Sequence, residues 1–88
     1  MPIVRIEMDI SFVTPEKKEV LNSVMQITFE TVDGQQTLYD HPMDVLVEIC
    51  EGNVIINKDR LFKVTDGLFY IAQNTGVFSV SDFFEIKK

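Results

Sequence analysis

The sequence of 88 residues is poor in the residues on which most small catalytic and metal sites depend. It has one cysteine, one histidine and no tryptophan. A single cysteine excludes an intrachain disulfide and a zinc site built from several cysteines. Only four glycines are present, and neither a GxxxxGK[ST] nor a GxGxxG pattern occurs. No phosphate-binding loop, and no cofactor, is therefore predicted.

Basic residues and long apolar runs are also scarce. Eight Lys and Arg residues stand against fourteen Asp and Glu residues, so the net charge is −6. Nucleic acids and anionic lipids both attract clusters of Lys and Arg, so neither is a predicted partner. The apolar runs are a few residues long, against the roughly 20 that cross a bilayer, and residues 1–13 lack the pattern of a signal peptide. We expect no direct insertion into a membrane.

Candidate chemical groups are few and isolated. His41 stands near Asp40 and Asp44, and this trio could bind a metal ion or form an ordinary polar loop. The loop is favoured, because a stable metal site needs three or four fixed ligands. Cys50 has apolar flanks and no assignable base, which is typical of a small core residue. Two acid pairs are interpreted as solvated charges rather than catalytic carboxylates: Asp40 with Asp44, and Asp82 with Glu85. We predict no catalytic, metal-binding or cofactor-binding residue, and a protein that is not an enzyme.

Apolar residues alternate with polar ones along several short segments. This period of two predicts β-strands with one buried face, and turn signals such as the D-G pairs at 33–34 and 66–67 separate them about every eight to twelve residues. The run 68–72 is apolar throughout, which is typical of a strand buried on both faces. The sequence predicts a single all-β domain over residues 1–88, an antiparallel β-sandwich or barrel. The side chains predicted to be buried are Ile6, Met8, Ile10, Phe12, Ile27, Phe29, Val47, Ile49, Phe69, Ile71, Phe78 and Val80.

One segment, residues 16–25, is ambiguous. Thr14 and Pro15 could cap and begin a short helix there. The length, about ten residues with no glycine at the end, argues against a helix. The apolar residues that fall at helical spacing are Val20, Leu21, Val24 and Met25.

The order of several motifs adds a family resemblance. The chain reads MDISFVTPEKKEV from Met8, an acidic-Gly turn at 32–34, LYDHPMDVLVEICEGNVII from Leu38, and FKVTDGLFYIAQNTGVFSVSDFFE from Phe62. In this order and spacing, residues 8–85 resemble the epsilon subunit of the F-type ATP synthase. The family usually writes a glycine or small polar residue, then His-Ala-Pro, where this chain has Asp40-His41-Pro42-Met43, and an ungapped alignment puts the family His on Pro42. Many members continue into a helical hairpin of about fifty residues, whereas this sequence stops at Lys88.

The resemblance implies an antiparallel β-sandwich of about ten short strands and a non-catalytic subunit of the central stalk. One face would pack on the gamma subunit, and surplus Phe and Met residues near the strand edges could supply the apolar patch. The turn end would touch the ring of c subunits through Asp33, Gly34, Gln35, Asp40, His41 and Pro42. Such a subunit couples ring rotation, and hence proton or other ion transport, to ATP synthesis in the catalytic head.

The expected location is peripheral, on the cytoplasmic side of the inner membrane and held there by protein partners. Without the helical hairpin, the inhibitory arm and the ATP-binding motif of the family would be missing. The residues taken alone leave an alternative function open, a stand-alone β-sandwich module that binds a peptide or a small ligand. Co-purification discriminates the two functions, because only a stalk subunit should recover gamma and the catalytic subunits.

Overall fold

The computed structural model describes residues 7–39 and 44–87, and within these ranges the chain forms ten β-strands and no helix. The predicted all-β fold is confirmed. A helix that could cross a membrane is accordingly not found in these two ranges. The strands are β1 Met8–Val13, β2 Lys18–Val24, β3 Gln26–Thr31, β4 Gly34–Tyr39, β5 Val45–Ile49, β6 Gly52–Ile56, β7 Arg60–Val64, β8 Gly67–Ala72, β9 Thr75–Val80 and β10 Phe83–Ile86.

The strands join in one curled sheet of order β10-β7-β6-β3-β5-β8-β9-β1-β2, with β4 paired to the other side of β3. Strand β3 is the junction, because Ile27 and Thr28 pair with β6 whereas Thr31 pairs with β5. The sheet folds over there into two facing layers, as in a sandwich. We call them the β3 layer, with strands β4-β3-β6-β7-β10, and the β8 layer, with strands β5-β8-β9-β1-β2.

One pair of strands departs from the predicted antiparallel arrangement. Strands β1 and β9 run parallel, with Ile10 beside Gly76 and Phe12 beside Phe78. A hairpin forces two strands to be antiparallel, but β1 and β9 lie far apart in the sequence and no tight turn joins them. Their relative direction is therefore set by the course of the whole chain, which local periodicity does not record.

Phenylalanine rings fill the space between the layers. The Phe12 ring of β1 stacks on Phe62 of β7 at 4.6 Å, on Phe78 of β9 at 5.0 Å and on Phe83 of β10 at 5.2 Å between ring centroids. These four side chains are buried. Aromatic pairs at such distances gain about 0.5–1.5 kcal/mol beyond the area they bury. The cluster therefore ties strands of both layers together.

The predicted core is largely confirmed. Val47 is half-buried and packs against the border of the core, and Ile6 lies outside the described residues. The predicted side chains found to be buried are Met8, Ile10, Phe12, Ile27, Phe29, Ile49, Phe69, Ile71, Phe78 and Val80.

The ambiguous segment is a strand, and a bulge explains its helix-like spacing. Met8 pairs with Val24 and Ile10 pairs with Leu21, so one residue of β1 faces two residues of β2. The second of these, Ser23, has φ of 59°, in the left-handed region. The extra residue shifts the alternation by one position. Leu21 and Val24 therefore both face the core although they are three residues apart.

The two D-G signals serve different connections. The first closes the β3–β4 hairpin, whereas β7 and β8 pair with other strands and not with each other. Thr65 and Asp66 thus carry the chain from the β3 layer to the β8 layer. Gly67 follows, and a Cβ atom there would collide with the backbone oxygen of Ser79. The second glycine is needed for close strand packing and not for a hairpin turn.

The phenylalanine cluster yields a stability prediction. Phe12→Ala should lower the free energy of unfolding by about 3–5 kcal/mol, because it removes a buried ring and leaves a cavity. Phe84→Ala is the matched control, since Phe84 is 53% exposed, and it should cost less than about 1 kcal/mol. Urea denaturation of both variants measures the difference. Equal losses would contradict the assignment of Phe12 to the centre of the core.

Candidate interaction surfaces

The predicted ring contact begins at the β3–β4 turn, whose geometry is well defined. Val32 and Asp33 form its tip, and Gly34 pairs with Thr31 as the first residue of β4. The Thr31 hydroxyl donates to the Gly34 carbonyl oxygen at 2.9 Å and accepts the Asp33 N–H at 3.1 Å. Gly34 has φ of 116°, a conformation that L side chains rarely adopt. The turn therefore presents exposed Val32, Asp33 and Gln35 on a fixed backbone.

The other predicted ring contacts, Asp40, His41 and Pro42, lie outside the described residues. Their neighbour Tyr39 pairs with Gln26, at the end of the β3–β4 ladder opposite to the turn. Five steps of an extended strand separate Gly34 from Tyr39, or about 17 Å. In the sequence, residues 40–42 therefore follow the end of β4 opposite to the turn.

A second candidate surface, which the sequence did not predict, lies on the outer side of the β8 layer. A row of cross-strand neighbours runs over its five strands. It begins at Leu46 on β5 and continues through Tyr70 on β8, Val77 on β9, Ser11 on β1 and Val20 on β2. Leu46 is 65% exposed, Tyr70 50% and Val20 48%. The outer face of an antiparallel sheet is ordinarily polar. An exposed row of this kind is typical of an interaction site.

The row continues into a patch. Leu68, 48% exposed, lies two residues before Tyr70 on β8 and therefore points to the same side. We call the side chains of Val20, Leu46, Leu68, Tyr70 and Val77 the apolar face. Of the Phe and Met residues expected to supply such a patch, the phenylalanines other than Phe84 are buried, as is Met8, and Met1 and Met43 lie outside the described residues.

The strand β8 carries the signal that could have located this face. The run 68–72 predicts a strand buried on both sides, but Leu68 and Tyr70 are exposed and only Phe69 and Ile71 are buried. The difference has a simple physical reason: the described part of the chain covers one side of β8 and nothing in it covers the other. An apolar strand without a cover suggests that a partner supplies the cover.

Ion pairs join the outer strands of the two layers. Arg60 at the start of β7 donates two hydrogen bonds of 2.8 Å to Glu85 of β10 and lies 3.6 Å from Glu19 of β2. Lys17 lies 3.2 Å from Asp82 and donates a 2.6 Å hydrogen bond to the Phe83 carbonyl oxygen. These contacts connect the edge of one layer to the edge of the other.

Two of these acids, Asp82 and Glu85, are held in the charged form. The hydrogen bond from Arg60 lowers the pKa of Glu85, and that from Lys17 lowers the pKa of Asp82. A general acid needs a raised pKa, so the lowered values argue against Asp82 or Glu85 acting as a general acid. Among residues 7–39 and 44–87 no three metal-ligating side chains cluster together.

Comparison with known proteins gives matches in structure only. No family model and no curated protein matches the sequence. Among solved structures, a chain in the cryo-EM structure of the Tetrahymena thermophila mitochondrial ATP synthase, central stalk and c-ring, matches with a TM-score of 0.76 and 22% identity. The match covers 91% of this chain and 67% of that one.

A second match is to a chain in the Euglena gracilis mitochondrial ATP synthase, solved with OSCP, F1 and c-ring in rotational state 1. Its TM-score is 0.81 at 8% identity, and it covers 96% of this chain and 56% of that one. This chain thus spans little more than half the length of the Euglena chain. At such identities the matches show a shared fold.

The Arg60–Glu85 pair yields a pH prediction. Glu85 has a lower pKa when folded, so its stabilising effect is complete above its ordinary value of 4.5 and is lost as the pH falls through the lowered folded value. The free energy of unfolding should therefore decrease as the pH falls below about 4.5. In the Glu85→Gln variant, the free energy of unfolding should decrease less steeply over that pH range. Urea denaturation at a series of acidic pH values measures both slopes. Superimposable slopes would show that the pair does not stabilise the fold.

Proposed function

We propose that this protein is a non-catalytic, epsilon-like subunit in the central stalk of an F-type ATP synthase. The observation that carries the proposal is the apolar face, which leaves one side of β8 without a cover. Two further observations support it. The motif order resembles the epsilon family over residues 8–85, and the fold is shared with chains from two ATP synthase structures.

The apolar face is the proposed dock for the gamma subunit. Leu46 and Tyr70 stand opposite each other on β5 and β8 and are each at least half exposed. Large apolar and aromatic side chains at the centre of such a patch supply most of the affinity of an interface. The phenylalanine cluster behind the face keeps the sheet rigid, so a rotation of gamma would be transmitted to the whole domain.

The proposed contact with the c-ring lies along the β3–β4 hairpin. Asp33, Gly34 and Gln35 stand at its turn, and residues 40–42 follow its other end. The exposed turn at Asp33 and Gln35 supports a role in coupling ring rotation, driven by protons or another ion, to ATP synthesis in the catalytic head. The proposed location is peripheral to the membrane, on its cytoplasmic side, with partners rather than lipid holding the protein in place.

The gamma dock is tested by a substitution on the apolar face. Leu46→Asp places a charge on the most exposed side chain of the apolar face and should reduce the gamma subunit recovered with the tagged protein at least about tenfold. Because Leu46 is 65% exposed, the melting temperature should hardly change. Phe84→Asp, an exposed apolar residue of the β3 layer, is the matched control and should recover gamma as the wild type does.

Two outcomes would count against this proposal. Recovery of gamma by Leu46→Asp at the wild-type level would mean that the apolar face is not the dock. Failure of the wild type to recover gamma or any catalytic-head subunit would favour the alternative function, a stand-alone module that binds a peptide or a small ligand through the same face.

The ring contact is tested by charge changes at the two ends of β4. Gln35→Lys and Asp40→Lys should each weaken the coupling of proton flow to ATP synthesis, measured by proton pumping in membranes that carry the variant. Gln35 is exposed, and exposed polar substitutions usually change stability by no more than about 0.5 kcal/mol, so the fold should persist in Gln35→Lys. Glu16→Lys is the control, an exposed charge reversal in the β1–β2 turn. Wild-type coupling in both variants would rule out the β3–β4 hairpin and the residues that follow it as the ring contact.

A further inference from the structure

The sheet ends in three strands, β2, β10 and β4, which each pair on one side only among the residues the structure describes. An edge strand presents unpaired backbone N–H and C=O groups, and natural proteins protect such edges with charged side chains, bulges or short strands. The three edges of this protein differ sharply in that protection.

Two of the edges are protected. Strand β2 carries Lys18, Glu19 and the bulge at Ser23, each of which disfavours pairing with another strand. Strand β10 has only four residues, and its Phe83 carbonyl oxygen already accepts the 2.6 Å hydrogen bond from Lys17. These two edges are unsuited to a further strand.

Strand β4 has none of these devices. Its six residues, GQQTLY, include no charge and no proline. The register with β3 runs without interruption from Gly34 opposite Thr31 to Tyr39 opposite Gln26, so no bulge is present. All of its residues except Leu38 are exposed.

The hydrogen bonds of β3 show which backbone groups of β4 point outward. The carbonyl oxygens of Gln26 and Glu30 accept N–H groups of Asn57 and Cys50, on the side of β3 away from β4. In an antiparallel pair these directions alternate from one residue to the next, so Ile27, Phe29 and Thr31 bond to β4. Gly34, Gln36 and Leu38 are their partners, which leaves the N–H and C=O groups of Gln35, Thr37 and Tyr39 directed away from β3.

We propose that the free edge of β4 binds an extended segment of a partner protein that carries basic side chains and adds to the sheet as a further strand. Backbone hydrogen bonds give such a complex its affinity. The basic character follows from charge complementarity, since the chain has a net charge of −6 and Asp33 stands at the turn beside the edge. A second copy of this chain would bring an equal negative charge and is disfavoured. This surface is separate from the apolar face. It shares Gln35 with the proposed ring contact, but the proposal rests on the geometry of the β4 edge and not on the stalk function.

The experiment removes one outward N–H and keeps the ladder with β3. Thr37→Pro deletes that donor, and proline is tolerated at an edge where its nitrogen faces solvent. Thr37→Ala is the matched control, because both variants lose the 3.0 Å hydrogen bond between the Thr37 and Thr28 hydroxyls but only proline loses the N–H. Circular dichroism and urea denaturation establish that both variants stay folded.

The probes are a blocked peptide, Lys-Thr-Val-Thr-Val-Lys, and the same peptide with glutamate in place of lysine. Amide hydrogen exchange of the full chain is followed by NMR at millimolar peptide. The basic peptide should slow the exchange of the Gln35 and Thr37 amides at least about tenfold in the wild type. Thr37→Ala should respond in the same way, and Thr37→Pro should show no slowing at Gln35.

Three results would overturn the proposal. No slowing by the basic peptide would show that β4 does not accept a strand. Equal slowing by the acidic peptide would contradict the proposal that the partner segment is basic. Protection without peptide that rises with protein concentration, together with a dimer in sedimentation equilibrium, would assign the edge to a second copy of this chain.

Discussion

The stacking of Phe12 on rings from both layers is the interaction on which the rest of the structure depends. A chain of 88 residues with one cysteine has no disulfide to hold two layers together and has room for only one small core. Large rings supply the most buried area per residue, so Phe12, Phe62, Phe78 and Phe83 achieve what smaller side chains could not. Because the core is complete without Leu46 or Tyr70, the apolar area that these residues expose needs a reason outside the folding of this chain.

Local periodicity predicted the parts of the fold that a single strand determines. The alternation along β1, β3 and β9 identified their buried side chains, because one strand has only two faces and the apolar one turns inward. It could not identify the parallel β1–β9 pair, since pairing partners depend on residues distant in sequence. It also left β2 ambiguous, because the bulge at Ser23 gives a strand the spacing of a helix.

The same distinction between local and long-range features applies to the candidate sites. The turn at Asp33 and Gly34 was visible because D-G is a local signal, and the structure forms a turn there. The apolar face could not be predicted from the sequence, because its residues come together only through the order of the strands, and no local pattern gives that order. The only local signal of this face is the apolar run 68–72, which predicts a strand buried on both sides. In the described chain β8 is covered on one side only, because Leu68 and Tyr70 are exposed.

The two proposed surfaces lie on different layers, and this placement bears on what a coupling subunit must do. The apolar face belongs to the β8 layer, whereas β4 is the edge of the β3 layer, beyond the junction at β3. A partner on one surface therefore leaves the other accessible, so two partners can bind at the same time. The rings between the layers are close-packed, and close-packed cores transmit displacement rather than absorb it. A force applied through Leu46 and Tyr70 would thus move β4 with the rest of the domain, which is the mechanical property that a rigid link between two moving partners requires.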